Sequence, residues 1–177
     1  MKKIGYLLSI SVFWALLAFN SYSSVIIGKV VDVHDGDTIT VSDGKYIYKV
    51  RLLGIDSPET SRNAKFKKDI SKAYENKQVN IFRYIPPSTL IELGQEAKRA
   101  LRNIILGKTV KVEITRTDRY NRNLGWVYLD GMLVNAYMVE KGLARPYMIG
   151  LGGNYILILQ AERKAKQNKV GIYRYVN

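Results

Sequence analysis

From Val25 onward the chain falls into short runs in which apolar and polar residues alternate, the period of a half-buried strand. Val25 to Val33 predicts a first strand, Asp37 to Ser42 a second and Tyr46 to Leu53 a third. Asp43-Gly44 sits between the second and third, where a tight type I′ turn needs positive φ at both central residues. A two-residue turn there sets Asp37 opposite Val50, one residue from Arg51. After Glu59 the alternation stops. Residues 60–92 are polar and basic, with room for a short helix over Lys65 to Lys77, and Pro86-Pro87 predicts an extended turn. The whole stretch reads as a long excursion beside the hairpin's open end.

Helical spacing appears next. Ala97, Ala100, Leu101 and Ile104 recur on one face, which predicts a helix from Gly94 to a stop at Gly107. Strands resume over Thr109–Ile114 and Leu124–Leu129, the latter ending at a second turn signal, Asp130-Gly131. Leu133 to Lys141 predicts a second helix stopped by Gly142, and Asn154 can cap a third that runs to about Asn168. Gly171-Ile172-Tyr173 closes the fold. Three strands, a helix, two strands and two helices make an α+β chain. The order fits a five-stranded β-barrel of the OB type with three packed α-helices, with a mixed open sheet as the alternative.

Composition narrows the function classes. The 177 residues are 47% hydrophobic, enough for a real core. The formal net charge of +13 favours an acidic partner: nucleic acid, an anionic membrane or an acidic polymer. There is no cysteine, which excludes disulfides, thiolate catalysis and thiolate zinc sites. The single histidine, His34, reads as a turn or core residue rather than a catalyst. The N-terminus has the form of a secretory signal peptide: Lys2-Lys3, an apolar run from Ile4 to Phe19, then Ser21-Tyr22-Ser23 as a cleavage site. An uncleaved anchor or buried helix is the alternative, though the run is short for a span of about 20 residues. Cleavage after Ser23 leaves residues 24–177 as one domain and a net charge of +11, so the basicity belongs to the folded part.

Chemistry concentrates at the hairpin's open ends. Asp35 and Asp37 lie at one, and Arg51, Asp56 and Glu59 at the other. Register alone brings only Asp37 near Arg51. Asp56 and Glu59 join them if the third strand bends, and Gly54 and Pro58 are where a bend is tolerated. Converged carboxylates are hard oxygen ligands suited to Ca²⁺ or Mg²⁺. A further Glu off the metal can accept a proton from an attacking water. Arg51 and Arg122 are candidates for phosphate, which the planar guanidinium binds through two oxygens.

Five motifs in order, Asp-Gly-Asp-Thr, Arg-Leu-Leu-Gly-Ile-Asp-Ser-Pro-Glu, Gly-Gln-Glu-Ala, Thr-Asp-Arg-Tyr-Asn-Arg and Val-Asn-Ala…Gly-Leu-Ala, resemble the staphylococcal nuclease family over Val30 to Arg145. The resemblance implies an OB barrel with three helices that hydrolyses DNA and RNA to 3′-phosphate ends with Ca²⁺ rather than Mg²⁺. It makes Asp37, Asp56 and the Ser57 carbonyl the metal ligands, Glu59 the general base and Arg51 and Arg122 the catalytic arginines. Asp35 becomes a neighbouring acid behind the ligands, and Tyr120 and Tyr147 become substrate-binding positions.

The chain departs from the family in its longer path over residues 60–93, where Lys65, Lys67 and Lys68 alternate with Phe66, Tyr74, Phe82 and Tyr84. That interleaving suits one wall of a nucleic-acid groove, or a solvated loop with its aromatics packed on the barrel. The expected protein is a secreted or periplasmic monomeric nuclease acting on single strands or fraying duplex ends, with no stable membrane partner once the signal is gone. The rival classes are a non-catalytic nucleic-acid-binding OB module and a basic surface protein.

Overall fold

A computed structural model of the chain describes residues 24–75, 81–147, 150 and 152–175. The proposed signal peptide, residues 1–23, lies outside the described residues. No helix among the described residues is long and apolar enough to cross a membrane.

The barrel is built on one long strand. β1 (Ser24–Val33) buries Ile26, Gly28, Val30 and Val33, and a bulge between Val30 and Asp32 shifts the alternation so that Asp32 stays exposed beside Val31 and Val33 points in. Its first half pairs with β5 (Thr109–Thr117) and its second half with β2 (Thr38–Ser42); Lys29 has a partner on each side, Thr109 and Ser42. β2 pairs with β3 (Ile47–Leu52), and β5 pairs with β6 (Asn123–Leu129). β3 then meets β6 in parallel, Arg51 against Leu124, which closes five strands into a barrel as the OB-type reading expects. Ile39, Val41, Val50, Leu52, Val112 and Val127 fill it.

The hairpin register differs from the expected one. Thr38 faces Arg51 and Ile39 faces Val50, so Asp37 lies across from Leu52, whose N–H donates to the Asp37 carbonyl at 2.8 Å. The turn is wider than two residues. Gly44 has a φ of +92° while Asp43 is not in the left-handed region, and the Asp43 carboxylate instead accepts the N–H groups of Lys45 and Tyr46 at 2.8 and 2.7 Å. These donors hold the Asp43 carboxyl below its usual pKa.

After β4 (Ile55–Asp56) the segment expected as an excursion is largely helical. α1 (Ala64–Glu75) is followed by a 3₁₀ turn, Ile81–Tyr84, and α2 (Pro87–Ile105) begins seven residues before the expected Gly94. Pro86 is extended, but Pro87 occupies the first helical turn, where a missing N–H is no loss. The segment has its own core: Phe66, Phe82, Ile85, Leu90 and Leu93 pack with Ala165, Ile172 and Tyr173. Its buried aromatics therefore pack beside the barrel rather than on it. α2 joins the two cores, because Ala97, Leu101 and Ile105 face the barrel.

The short β7 (Met132–Leu133) leads into α3 (Val134–Glu140). β8 (Arg145–Pro146) pairs with β4, and α4 (Gly153–Gln167) packs on α3. A second 3₁₀ turn, Gly171–Tyr175, ends the described chain. Of the four α-helices among the described residues, three are the expected ones, and α1 falls where the sequence left room for a short helix over Lys65 to Lys77.

Asn135 on α3 locks the corner after β3. It is fully buried, accepts the Val127 N–H at 2.9 Å, and donates to the carbonyls of Leu53 and Gly125 at 2.8 and 3.2 Å. Asn135→Ala strands the buried Val127 N–H and Leu53 carbonyl, while the Gly125 carbonyl keeps the Leu53 N–H at 2.9 Å, so urea unfolding should show a loss of roughly 2–4 kcal/mol. A loss below about 1 kcal/mol would count against this lock.

Candidate active site

The corner between β1 and β2 carries the first acids. Asp35 accepts the Asp37 N–H at 2.9 Å and so shapes the turn. Asp37 is 4% exposed. Its Oδ2 accepts from the N–H and hydroxyl of Ser57 at 2.8 and 3.0 Å, and its Oδ1 accepts from Thr38 at 3.1 Å and meets Arg51 Nη1.

Asp56 arrives by the anticipated bend. Gly54 has a φ of +77°, and a Cβ there would sit 3.0 Å from the Trp126 ring, so backbone conformation and packing both require glycine. β4 then pairs with β8, placing Asp56 opposite Arg145. Arg51 Nη2 reaches Asp56 Oδ1 at 3.2 Å, and Arg145 reaches Oδ2 at 3.0 Å through Nη2 and 3.3 Å through Nε. Asp37, Arg51 and Asp56 are each less than 9% exposed, so this is a buried ionic cluster.

Burial would raise the Asp56 carboxyl, but Lys65, Arg145 and Arg51 together outweigh it and hold the group below its usual value. Burial lowers the basicity of Arg51, while Asp56, Asp35 and Glu59 oppose that effect. Glu59 lies at the edge of the cluster. Its Oε2 accepts from Asn63 Nδ2 at 2.8 Å, and its Oε1 pairs with Lys65 Nζ. Asn63 also caps α1, accepting the Phe66 N–H at 2.8 Å.

The structure thus brings together Asp35, Asp37, Arg51, Asp56, Ser57 and Glu59. Tyr147 is adjacent: it is half exposed, its N–H donates to the Gly54 carbonyl at 2.9 Å, and Arg145 lies 5.9 Å from its ring. Arg122 and Tyr120 sit on the link between β5 and β6. Arg122 is near enough for its charge to act on Arg51, but its guanidinium pairs with Asp118 at 2.7 Å. Tyr120 is exposed, with Arg119 and Arg122 against its ring at 4.8 and 5.5 Å. His34 bonds Thr40 at 2.8 Å and takes no part in the cluster.

Two site residues went unrecognised in the sequence, Arg145 and Lys65. Arg145 lies 89 positions from Asp56, and its only signal was its place after Gly-Leu-Ala. Lys65 was one lysine among several in a basic segment.

Small residues seat the site loop on α2. A Cβ on Gly94 would lie 2.3 Å from the Glu59 carbonyl oxygen, and one on Gly36 would lie 2.7 Å from Ala97 and 2.8 Å from Ser57. The donor chemistry suits a hard divalent cation: two buried carboxylates tied through Ser57, with a third at Glu59. Among the described residues no three such side chains form a ready metal cage, and cationic groups engage each of the carboxylates.

The sequence profile of the family described as "Staphylococcal nuclease homologue" matches residues 49–175. An uncharacterized protein of Methanocaldococcus jannaschii is 30% identical, the alignment covering 90% of this chain and 80% of its own. An uncharacterized endonuclease of Escherichia coli O157:H7 is 33% identical, covering 82% of this chain and 76% of its own. The thermonuclease of Staphylococcus intermedius is 28% identical, covering 80% of this chain and 72% of its own.

Gly94→Ala would stabilise an exposed helix by about 1 kcal/mol. Here it should destabilise, because the new Cβ displaces the Glu59 backbone, and thermal unfolding reads the sign. Arg145→Met tests the cluster's electrostatics. A carboxyl with a depressed folded pKa adds stability above its unfolded pKa of about 4, and that stability is lost as pH falls through the lower folded value. The wild-type advantage over Arg145→Met should therefore be full at pH 7 and shrink below about pH 4. An advantage of equal size at about pH 3 and pH 7 would mean that Arg145 acts by packing alone.

Proposed function

The chain belongs to the staphylococcal nuclease family, and on that premise we propose that it is a metal-dependent, sugar-nonspecific endonuclease that cleaves DNA and RNA to 3′-phosphate ends. The observation that carries the reading is the buried Asp37–Arg51–Asp56 cluster with Glu59 at its edge. A nucleic-acid-binding module has no need to bury two carboxylates beside its phosphate-seeking arginine.

In this reading Asp37, Asp56 and the Ser57 carbonyl hold a divalent cation, calcium rather than magnesium, which when bound supplies positive charge to the phosphodiester. Asp35 fixes the loop that presents Asp37. Glu59 accepts a proton from the water whose oxygen attacks phosphorus. The bond from phosphorus to the 5′ oxygen breaks, that oxygen takes up a proton, and the phosphate stays on the 3′ side. Arg51 and Arg122 neutralise the charge that builds on the phosphoryl oxygens, Arg122 after exchanging Asp118 for phosphate. Tyr120 and Tyr147, both exposed, offer ring faces for bases, which favours single strands or fraying duplex ends.

The reading extends to export. Lys2-Lys3, the apolar run to Phe19 and Ser21-Tyr22-Ser23 support a cleaved signal peptide and a secreted or periplasmic monomer. The net charge, +13 for the whole chain and +11 after cleavage, supports a polyanionic substrate.

Digestion of plasmid and RNA by the purified protein, with calcium, magnesium or a chelator, tests the proposal. Calcium should support cleavage and a chelator should abolish it. Glu59→Gln and Arg51→Ala should each lower the rate by about 100-fold or more. Cleavage that survives chelation, or an Arg51→Ala rate equal to wild type, would overturn the mechanism.

A further inference from the structure

Lys65 occupies an unusual position. It comes from α1, outside the motifs that carry the other site residues, yet its ammonium lies between Asp56 and Glu59. Nζ is 3.5 Å from Asp56 Oδ1 and also pairs with Glu59 Oε1. We propose that Lys65 is an internal counter-ion that a divalent cation must displace, so that α1 sets the site's affinity for metal. The inference rests on the nuclease reading above.

Among the described residues three cations hold Asp56, and they differ in how firmly they are anchored. Arg51 is buried and also pairs with Asp37. Arg145 lies over the Phe82 ring, its Cζ 4.5 Å from the ring centre, and it meets Asp56 through two nitrogens. Lys65 makes the longest of the Asp56 contacts, and its side chain is 49% exposed. It ends in a compact point charge on a flexible four-carbon stem, whereas the two arginines are planar forks fixed by paired contacts. A cation arriving from solvent at Asp56 and Glu59 therefore meets Lys65 first, and Lys65 is the group able to withdraw.

The same contact restrains Glu59. Asn63 takes Oε2 and Lys65 takes Oε1, so both carboxylate oxygens are engaged by residues of the α1 entry. Both donors depend on where α1 begins, and Asn63 itself caps the helix. Withdrawal of Lys65 frees Oε1 for a water molecule at the moment a cation replaces the lost positive charge. One residue thereby couples metal loading to release of the proton acceptor.

The test is calcium binding to the full chain by titration calorimetry at fixed ionic strength, with no nucleic acid present. Lys65→Met keeps the apolar stem and removes the charge, and Lys65→Ala is a second version should the first alter folding. Lys67→Met removes an equal charge from an exposed position on the same helix and measures the general effect of net charge. Calcium should bind Lys65→Met and Lys65→Ala at least tenfold more tightly than wild type, while Lys67→Met shifts affinity less than threefold. If the Lys65 variants bind no more tightly than Lys67→Met, the counter-ion proposal falls and the metal-dependent nuclease reading stands. If neither wild type nor any variant binds calcium, the metal reading falls and takes the proposal with it. If wild type binds none and the Lys65 variants do, the proposal holds in its strongest form.

Discussion

The site depends on one arrangement: a guanidinium buried between two buried carboxylates. Arg51 spans Asp37 and Asp56, and none of the three is more than 8% exposed. Taking such charges out of water costs several kcal/mol per ion unless partners replace the lost hydration. The partners here come from distant parts of the chain: Thr38 beside Asp37, Ser57 through two donors, and Arg145 across the β4–β8 pair. Each must be in place for the others to be tolerable. Barrel closure matters to the site for this reason, because the parallel contact of β3 with β6 fixes where Arg51 stands.

The small residues of the motifs follow from the same demand. A buried ionic cluster leaves no room for error in the loops that feed it, so those loops are pressed onto rigid elements. Gly94 and Ala97 let α2 touch the backbone at Glu59 and the loop at Gly36, and Gly54 lets the strand turn under Trp126. Asn135 ties the carbonyls of Leu53 and Gly125 to α3 at the bend that delivers Asp56. In this reading Gly-Gln-Glu-Ala and Val-Asn-Ala are not chemical motifs. They hold the backbone that presents the chemistry.

What the sequence made legible was what short-range pattern encodes. Alternation predicted the five barrel strands, and Gly54 marked the bend on which half the site depends. The register prediction missed because it assumed the shortest turn. Asp43 instead draws two backbone N–H groups to its own carboxylate and opens the loop, so Asp37 faces Leu52 while still meeting Arg51 through side chains. Pro86-Pro87 was read as a break, although Pro87 starts a helix as easily as it ends one. Lys65 carried no local signature and Arg145 only its place after Gly-Leu-Ala, since their roles arise from tertiary pairing, over 89 positions in the case of Arg145.

The segment from α1 to the start of α2 also changes how the site relates to the rest of the molecule. Phe66 and Phe82 anchor it in a second core shared with Ala165, Ile172 and Tyr173, so the position of α1 depends on packing at the chain's far end. From that core two arms reach the same carboxylate. Lys65 reaches Asp56 directly, and Phe82 reaches it through the Arg145 guanidinium that lies over its ring. A structureless loop of this length could supply lysines to a groove, but it could not hold an ammonium between two acids of a buried cluster. Two of the aromatics that looked like candidates for base stacking thus have a different task, while Tyr84 stays half exposed. By burying themselves, Phe66 and Phe82 give the segment the rigidity that makes a single lysine count.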